Sequence, residues 1–145
     1  MTTPAAGEWH GREHRLPVRV YYEDTDFTGV VFHGAHVRYF ERGRTDALRL
    51  IGIGHTAMKS AAPPLAFAVV RLEIDYRRPA AIDDALEVCT TMSAMKGALM
   101  VVDQKIVRGE DLIAQARVEV AVIGADGRPH RPSKQMREAL QQKLF

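Results

Sequence analysis

Apolar and polar residues change their period twice along this chain. From Leu16 to Tyr22, the residues Val18, Val20 and Tyr22 share one parity against Arg19 and Tyr21, the two-residue repeat of a half-buried strand. From Ala35 to Ile51 the repeat lengthens: His36, Phe40, Gly43, Ala47 and Ile51 recur at steps of four, three, four and four. They therefore line one face of a helix of about seventeen residues. Glycine inside a helix costs about 1 kcal/mol relative to alanine, so Gly43 on that face predicts close approach of another backbone. After a loop holding Gly52, Gly54, Pro63 and Pro64, alternation resumes. Val70, Leu72, Ile74 and Tyr76 oppose Arg71, Glu73, Asp75 and Arg77, which predicts a strand with one wet face. Leu86 to Met95, Leu99 to Arg108 and Leu112 to Ile123 read as three more strands, joined at Lys96-Gly97 and Gly109-Glu110-Asp111 by links short enough for hairpins.

The predicted order is strand, long helix, then four antiparallel strands. An apolar sheet face needs a cover, and only one helix is long enough to supply it. The fold class is α+β: a five-stranded antiparallel sheet wrapped around one long helix, its exposed edge suited to pairing with a second subunit. Past Asp126-Gly127, Pro132-Ser133 can start a short C-terminal helix carrying Met136, Leu140 and Leu144 at intervals of four.

Composition narrows the class without naming a function. A chain of 145 residues suits one domain, expected over residues 15–145 behind a flexible N-terminal tail over residues 1–14. A net charge of +2 with scattered basic residues argues against a nucleic-acid partner. No apolar run nears the roughly 18 residues of a membrane span, so stable membrane insertion is not expected. Pro4, Gly7, Glu8, Gly11, Arg12 and Glu13 interrupt any signal-peptide run. Cys89 is the single cysteine, which excludes an intrachain disulfide and a cysteine zinc cluster and suits a reducing, cytoplasmic location.

The chemistry is concentrated between the first strand and the helix, in Glu23-Asp24-Thr25-Asp26-Phe27-Thr28-Gly29-Val30-Val31-Phe32-His33. The first N–H groups of a helix lack partners and carry partial positive charge. Placed at a thioester carbonyl, they can stabilise the oxyanion formed on attack. A carboxylate on the adjoining loop can act as general base on water or as nucleophile.

These residues carry a family resemblance. Val18-Arg19-Val20-Tyr21-Tyr22-Glu23-Asp24-Thr25-Asp26, then Gly29-Val30-Val31-Phe32-His33, then Tyr39-Phe40-Glu41-Arg42-Gly43-Arg44-Thr45 resemble the YbgC group of acyl-CoA thioesterases, in the 4-hydroxybenzoyl-CoA thioesterase superfamily of hotdog fold. The resemblance implies that Asp26 is the catalytic carboxylate and that His33 assists through its imidazole and its backbone N–H. It also implies a homodimer or homotetramer with the site at the subunit interface, an acyl-CoA substrate, no separate cofactor, and in some members contact with acyl carrier protein. Around the acid, Tyr22, Phe27, Gly29, Val30 and Phe32 are expected to contact substrate, with Phe27 bordering the acyl pocket. Lys96 and Arg128 are the candidate cations for CoA phosphates. The chain departs from the family where Phe27 and Thr28 replace small residues, His36 an aromatic one and Gly43 an alanine.

Plainer roles are expected for neighbouring groups. Glu23 and Asp24 read as solvated or hydrogen-bonding structural acids, Glu41 as a buried contact to an arginine, and Cys89 as an ordinary thiol. Asp26, His33 and His36 lack the spacing of a zincin, and no metal is expected. None of Ser60, Ser93 and Ser133 lies in a nucleophile elbow. Hydratase or dehydratase chemistry on the same fold, and a non-catalytic module that binds acyl thioesters or carrier protein, are the alternatives to hydrolysis.

Overall fold

Alternating apolar positions build one antiparallel sheet in the computed structural model, which describes residues 2–144. Met1 and Phe145, the outer ends of the expected tail and domain, lie outside the described residues. The strands are β1 (Glu8–His10), β2 (Glu13–Arg19), β3 (Ala66–Tyr76), β4 (Ala85–Lys96), β5 (Leu99–Arg108) and β6 (Asp111–Ile123), in the spatial order β1-β2-β4-β5-β6-β3. Helix α1 (Ala35–Leu50) covers the inner face, a short α2 (His55–Lys59) leads into β3, and α3 (Lys134–Gln141) closes the chain. This is the hotdog arrangement with six strands rather than the expected five.

The sixth strand lies in the expected tail. From residue 7 onward the segment is tied down: β1 pairs with β2, the Trp9 indole N–H donates to the Ala47 carbonyl at 3.2 Å, and the Gly7 N–H donates to Asp46 at 2.9 Å. The first long strand is also shifted. It ends at Arg19, and Tyr22–Asp24 form a single 3-10 turn, because Val20 leaves the sheet to exchange backbone bonds with Asp83 and Asp84.

The core joins α1 to the inner sheet face through Tyr39, Phe40, Ala47, Met92, Val102 and Ile106, all at most 1% exposed. Each large apolar side chain buried there contributes roughly 1.5–3 kcal/mol. Gly43 does mark a close approach, but to side chains and not to backbone. A Cβ on it would stand 2.7 Å from Val88 Cγ1, 3.0 Å from Thr90 Oγ1 and 3.1 Å from Gln104 Nε2. The Gln104 amide donates to the Phe40 carbonyl and to Thr90, each at 2.9 Å, so the missing side chain lets a buried amide bridge helix and sheet.

In β3 the expected apolar face is broken. A bulge between Val69 and Arg71 inserts Val70 as an unpaired residue and shifts the alternation by one. Leu72 and Ile74 are partly buried, while Val69 and Val70 are exposed. β3 is also the edge of the sheet, so its outer row of backbone groups has no strand beside it. α3 follows the expected pattern: the Ser133 hydroxyl caps it by accepting from the Met136 N–H, and Met136 and Leu140 are buried. Among the described residues, no helix is long and apolar enough to cross a membrane.

Candidate active site

The strand-to-helix connection is a tight folded loop. The Asp26 N–H donates to the Val30 carbonyl at 2.9 Å and the Gly29 N–H to the Asp26 carbonyl at 3.0 Å. Gly29 takes φ +83°, a left-handed conformation that a side chain would strain. Val30 and Val31 are stitched to the segment after β3: Val30 bridges Ala81, and the Val31 N–H donates to the Ala80 carbonyl at 2.8 Å. The loop is thus fixed to the sheet end from which α1 starts.

The two aspartates of the motif have opposite environments. Asp24 is 4% exposed; it accepts from the Tyr21 N–H at 2.9 Å and faces Arg38 at 3.7 Å. The Tyr39 hydroxyl is buried close to it, outside strict hydrogen-bond geometry. Burial first, and the Asp24 carboxylate second, push that hydroxyl's pKa up. Asp24 is therefore committed to the fold. Asp26 is exposed. One carboxylate oxygen accepts from the Thr28 hydroxyl at 2.5 Å and from the Thr28 N–H at 2.8 Å, while the other oxygen has no hydrogen bond among the described residues. The Thr28 hydroxyl, then its N–H, hold the Asp26 pKa below the usual carboxylate value, keeping it ionised at neutral pH.

His33 closes the loop with its ring exposed and 4.3 Å from the Phe32 ring centroid. Its carbonyl is held by the Tyr76 hydroxyl, which donates at 2.9 Å, and lies 3.1 Å from His36 Nδ1. The peptide is thereby oriented, and the N–H groups of His33 and Gly34 bond no acceptor among the described residues. Gly34 offers no side-chain cap to α1, so these donors stay open at the helix start, on the loop that carries Asp26. Among the described residues no hydrogen bond or ion pair links the Asp26 and His33 side chains. His36 is buried against Tyr76, ring centroids 5.0 Å apart, and burial lowers its pKa. Its ring sits between Tyr39 and Tyr76 with Nδ1 at the His33 carbonyl of the loop. No cluster of metal-ligating side chains occurs among the described residues.

The remaining residues expected at the site divide by position. Tyr22 and Phe27 are almost wholly exposed and Phe32 is 46% exposed, while Gly29 and Val30 form the loop itself. Lys96 and Arg128 are not brought to the loop within one chain. Lys96 ends β4 at its hairpin with β5, and Arg128 follows β6 at the same end of the sheet, whereas Asp84 and Val20 mark the loop end. At about 3.3 Å per residue, the length of β4 separates the two ends by roughly 35 Å. Glu41 is exposed and accepts from the Thr45 hydroxyl at 2.6 Å; among the described residues it forms no ion pair, so the expected buried bond to an arginine is not seen there.

Sequence reading missed Thr28 and Tyr76 as supports. An Asp followed two residues later by Thr is the pattern of a side-chain turn, so Thr28 had a local signal. Tyr76 had none, because its bond to His33 spans 43 residues.

Comparison with known proteins points one way. Residues 28–115 match the Thioesterase superfamily. Acyl-CoA thioester hydrolase YbgC of Escherichia coli O6:H1 is 40% identical over 118 residues, 81% of this chain and 86% of its own length. Acyl-CoA thioesterase YbgC of Haemophilus influenzae is 42% identical over 108 residues, covering 74% and 79%. A crystal structure of a probable thioesterase from Bartonella henselae superposes with a TM-score of 0.81 at 40% identity, covering 83% of this chain and 99% of that one.

Proposed function

The chain belongs to the thioesterase superfamily and is an acyl-CoA thioester hydrolase, and we propose that Asp26 drives the hydrolysis. The observation that carries this reading is the contrast within one motif: Asp24 is buried, bonded by the Tyr21 N–H and faced by Arg38, whereas Asp26 is exposed, ionised and has one oxygen free of hydrogen bonds among the described residues. The free oxygen acts as general base on water or attacks the thioester carbonyl directly. The open N–H groups of His33 and Gly34, with the positive end of α1 behind them, receive the developing oxyanion. Tyr76 supports this by fixing the peptide whose far side is the His33 carbonyl. No cofactor is required, and the enzyme acts in the cytoplasm on acyl-CoA, with acyl carrier protein as a partner.

The working unit is a homodimer, or a tetramer built from it, joined edge to edge through β3. Val69, Val70 and Tyr76 expose apolar surface along that open edge, a combination that monomers avoid. Antiparallel pairing about a two-fold axis near the middle of β3 sets the Tyr76 end of one copy beside the Ala66 end of the other. It brings Arg128 of the partner subunit, and more distantly Lys96 of the partner subunit, to the Asp26 end, where CoA phosphates need cations.

Release of free CoA thiol from an acyl-CoA panel tests the reading. The Asp26→Asn protein, folded and assembled like the wild type, should lose nearly all release, and undiminished turnover would move the catalytic role to another acid. An enoyl or hydroxyacyl product without thiol release would point to hydratase chemistry, and tight binding without turnover in the unaltered chain to a binding module.

A further inference from the structure

His36, the second residue of α1, is a buried histidine to which hydrolysis assigns no role. Its Nδ1 lies 3.1 Å from the His33 carbonyl. A carbonyl oxygen only accepts, so Nδ1 carries the proton and Nε2 is the bare nitrogen of the neutral ring. Burial, the largest influence on the ring, lowers its pKa and favours that neutral form. β3 supplies a second donor to the same oxygen, the Tyr76 hydroxyl at 2.9 Å. The two rings meet edge to face, centroids 5.0 Å apart at 85°, which holds both donors on one acceptor.

This pairing does not serve to cap the helix. The open groups at a helix start are N–H donors, and His36 and Tyr76 are themselves donors that satisfy none of them. The His33 carbonyl takes no backbone N–H among the described residues, so the two side chains fill both of its lone pairs. That carbonyl shares its peptide unit with the Gly34 N–H. A trans peptide is planar, so a fixed carbonyl aims the N–H in the opposite direction, away from both rings. Donors at the oxygen also polarise the unit and strengthen its N–H as a donor, by roughly 10–30% per bond. Gly34 is partly exposed, and its N–H bonds no acceptor among the described residues.

We propose that His36 and Tyr76 are positioning residues for the hydrolysis, a two-donor clamp that aims and strengthens the Gly34 N–H toward the oxyanion. The proposal rests on the reading of the α1 start as the oxyanion site. Both side chains act through the peptide and not on the substrate. Charge on the thioester oxygen grows only as its carbonyl is attacked, so a stronger donor there stabilises the transition state more than the bound substrate. The signature of the clamp is therefore on kcat, with KM almost unchanged. It also spans two elements: Tyr76 closes β3 and is 48% exposed, while His36 lies in α1 and is 4% exposed. Loss of either donor leaves the other on the carbonyl, so each single loss is partial.

The test is kcat and KM on the best substrate of an acyl-CoA panel for Tyr76→Phe, His36→Phe, His36→Asn and Asp26→Asn, with a melting curve for each protein. Outright removal of an oxyanion donor costs about 10²–10³ in kcat, so weakening one should cost about tenfold. Tyr76→Phe and His36→Phe each keep an aromatic ring and lose a donor; each should show that fall in kcat with KM close to the wild-type value. His36→Asn returns an amide N–H near the place of Nδ1–H and should recover most of the loss, which a role of the ring in packing alone would not allow. Wild-type kcat in folded Tyr76→Phe and His36→Phe would overturn the clamp, as would a loss that appears in KM alone. A His36→Asn enzyme as slow as His36→Phe would take His36 out of it. If the His36 variants do not fold, Tyr76→Phe decides, because its side chain is half exposed. Asp26→Asn separates the two readings. If it is inactive while the clamp variants keep the wild-type kcat, Asp26 stands and the clamp fails; if it turns over while they are slow, the clamp stands and Asp26 fails.

Discussion

Two places in this molecule combine histidine and aspartate, and they stand in opposite environments. Near the N-terminal strand pair, His14 and Asp46 are buried together, His14 Nε2 lying 2.7 Å from an Asp46 oxygen. The Gly7 N–H donates to the same oxygen, and Arg49 lies 3.5 Å from the other. At the start of α1, Asp26 and His33 are both exposed and share no bond. By pair geometry alone His14 and Asp46 look like an acid–base dyad. They are instead buried: His14 is 0% exposed with Nδ1 unpartnered among the described residues, and Asp46 is 6% exposed. A closed, bonded pair serves the fold, fastening β1 and β2 to the second half of α1; an open acid with a spare oxygen is what the proposed hydrolysis requires.

The largest expected effect comes from breaking the open site. Asp26→Asn removes the charge of the proposed catalytic carboxylate while preserving shape, and should lower turnover by about 10²-fold or more with little change in melting temperature. Asp24→Asn, at the enclosed acid of the same motif, should cost less activity and more stability. Steady-state thiol release with parallel melting curves checks both. Breaking the closed pair should reverse the pattern. Asp46→Ala leaves the His14 ring and the Gly7 N–H without their acceptor in a buried place, a loss of about 3 kcal/mol. For a domain of this size that lowers the melting temperature by roughly 10 °C, measurable by calorimetry, with turnover retained where the protein stays folded.

Smaller effects follow from protonation. Thr28→Val removes the hydroxyl that does most to hold the Asp26 pKa down, so the acid limb of the kcat profile should move to higher pH, while activity near neutrality changes little. In the closed region, burial lowers the His14 pKa from its usual 6.5, with Asp46 opposing in part, and burial lowers that of His36 as well. A depressed folded-state pKa means that the unfolded chain binds the extra proton more readily. Stability should therefore be complete above about pH 6.5 and decline as pH falls through the lower folded values. Melting temperatures recorded from pH 7.5 to pH 5 check this, and His14→Phe should flatten part of the slope.

How far each region was legible in the sequence follows the range of its interactions. The α1 face, the β5 span and the Asp26 loop were readable because periodicity and motif are local; Leu99–Arg108 came out as the strand it is. β1 was not, since three residues, Glu8–His10, give too short an alternation. What orders them is Trp9, Gly7 and His14 reaching residues 46 and 47 of α1, more than thirty positions away. The bulge at Val70 was hidden for a related reason, as its parity shift depends on the partner strand β6. At the site, the motif singled out Asp26 but carried no sign of Tyr76, and the cations at Lys96 and Arg128 could be placed only once the topology put them at the far end of the sheet.

The most direct measurement is a paired assay of Asp26→Asn and Asp46→Asn, reading thiol release from one short acyl-CoA and the melting curve of the same samples. Exposed acid for chemistry and buried acid for folding predicts a crossed result: Asp26→Asn melts like the wild type and is at least 10²-fold slower, while Asp46→Asn melts earlier and, below its transition, turns over close to the wild-type rate. A well-folded Asp26→Asn enzyme with near-normal turnover, beside an Asp46→Asn enzyme that is stable but inactive, would contradict it and shift the catalytic acid to the buried pair.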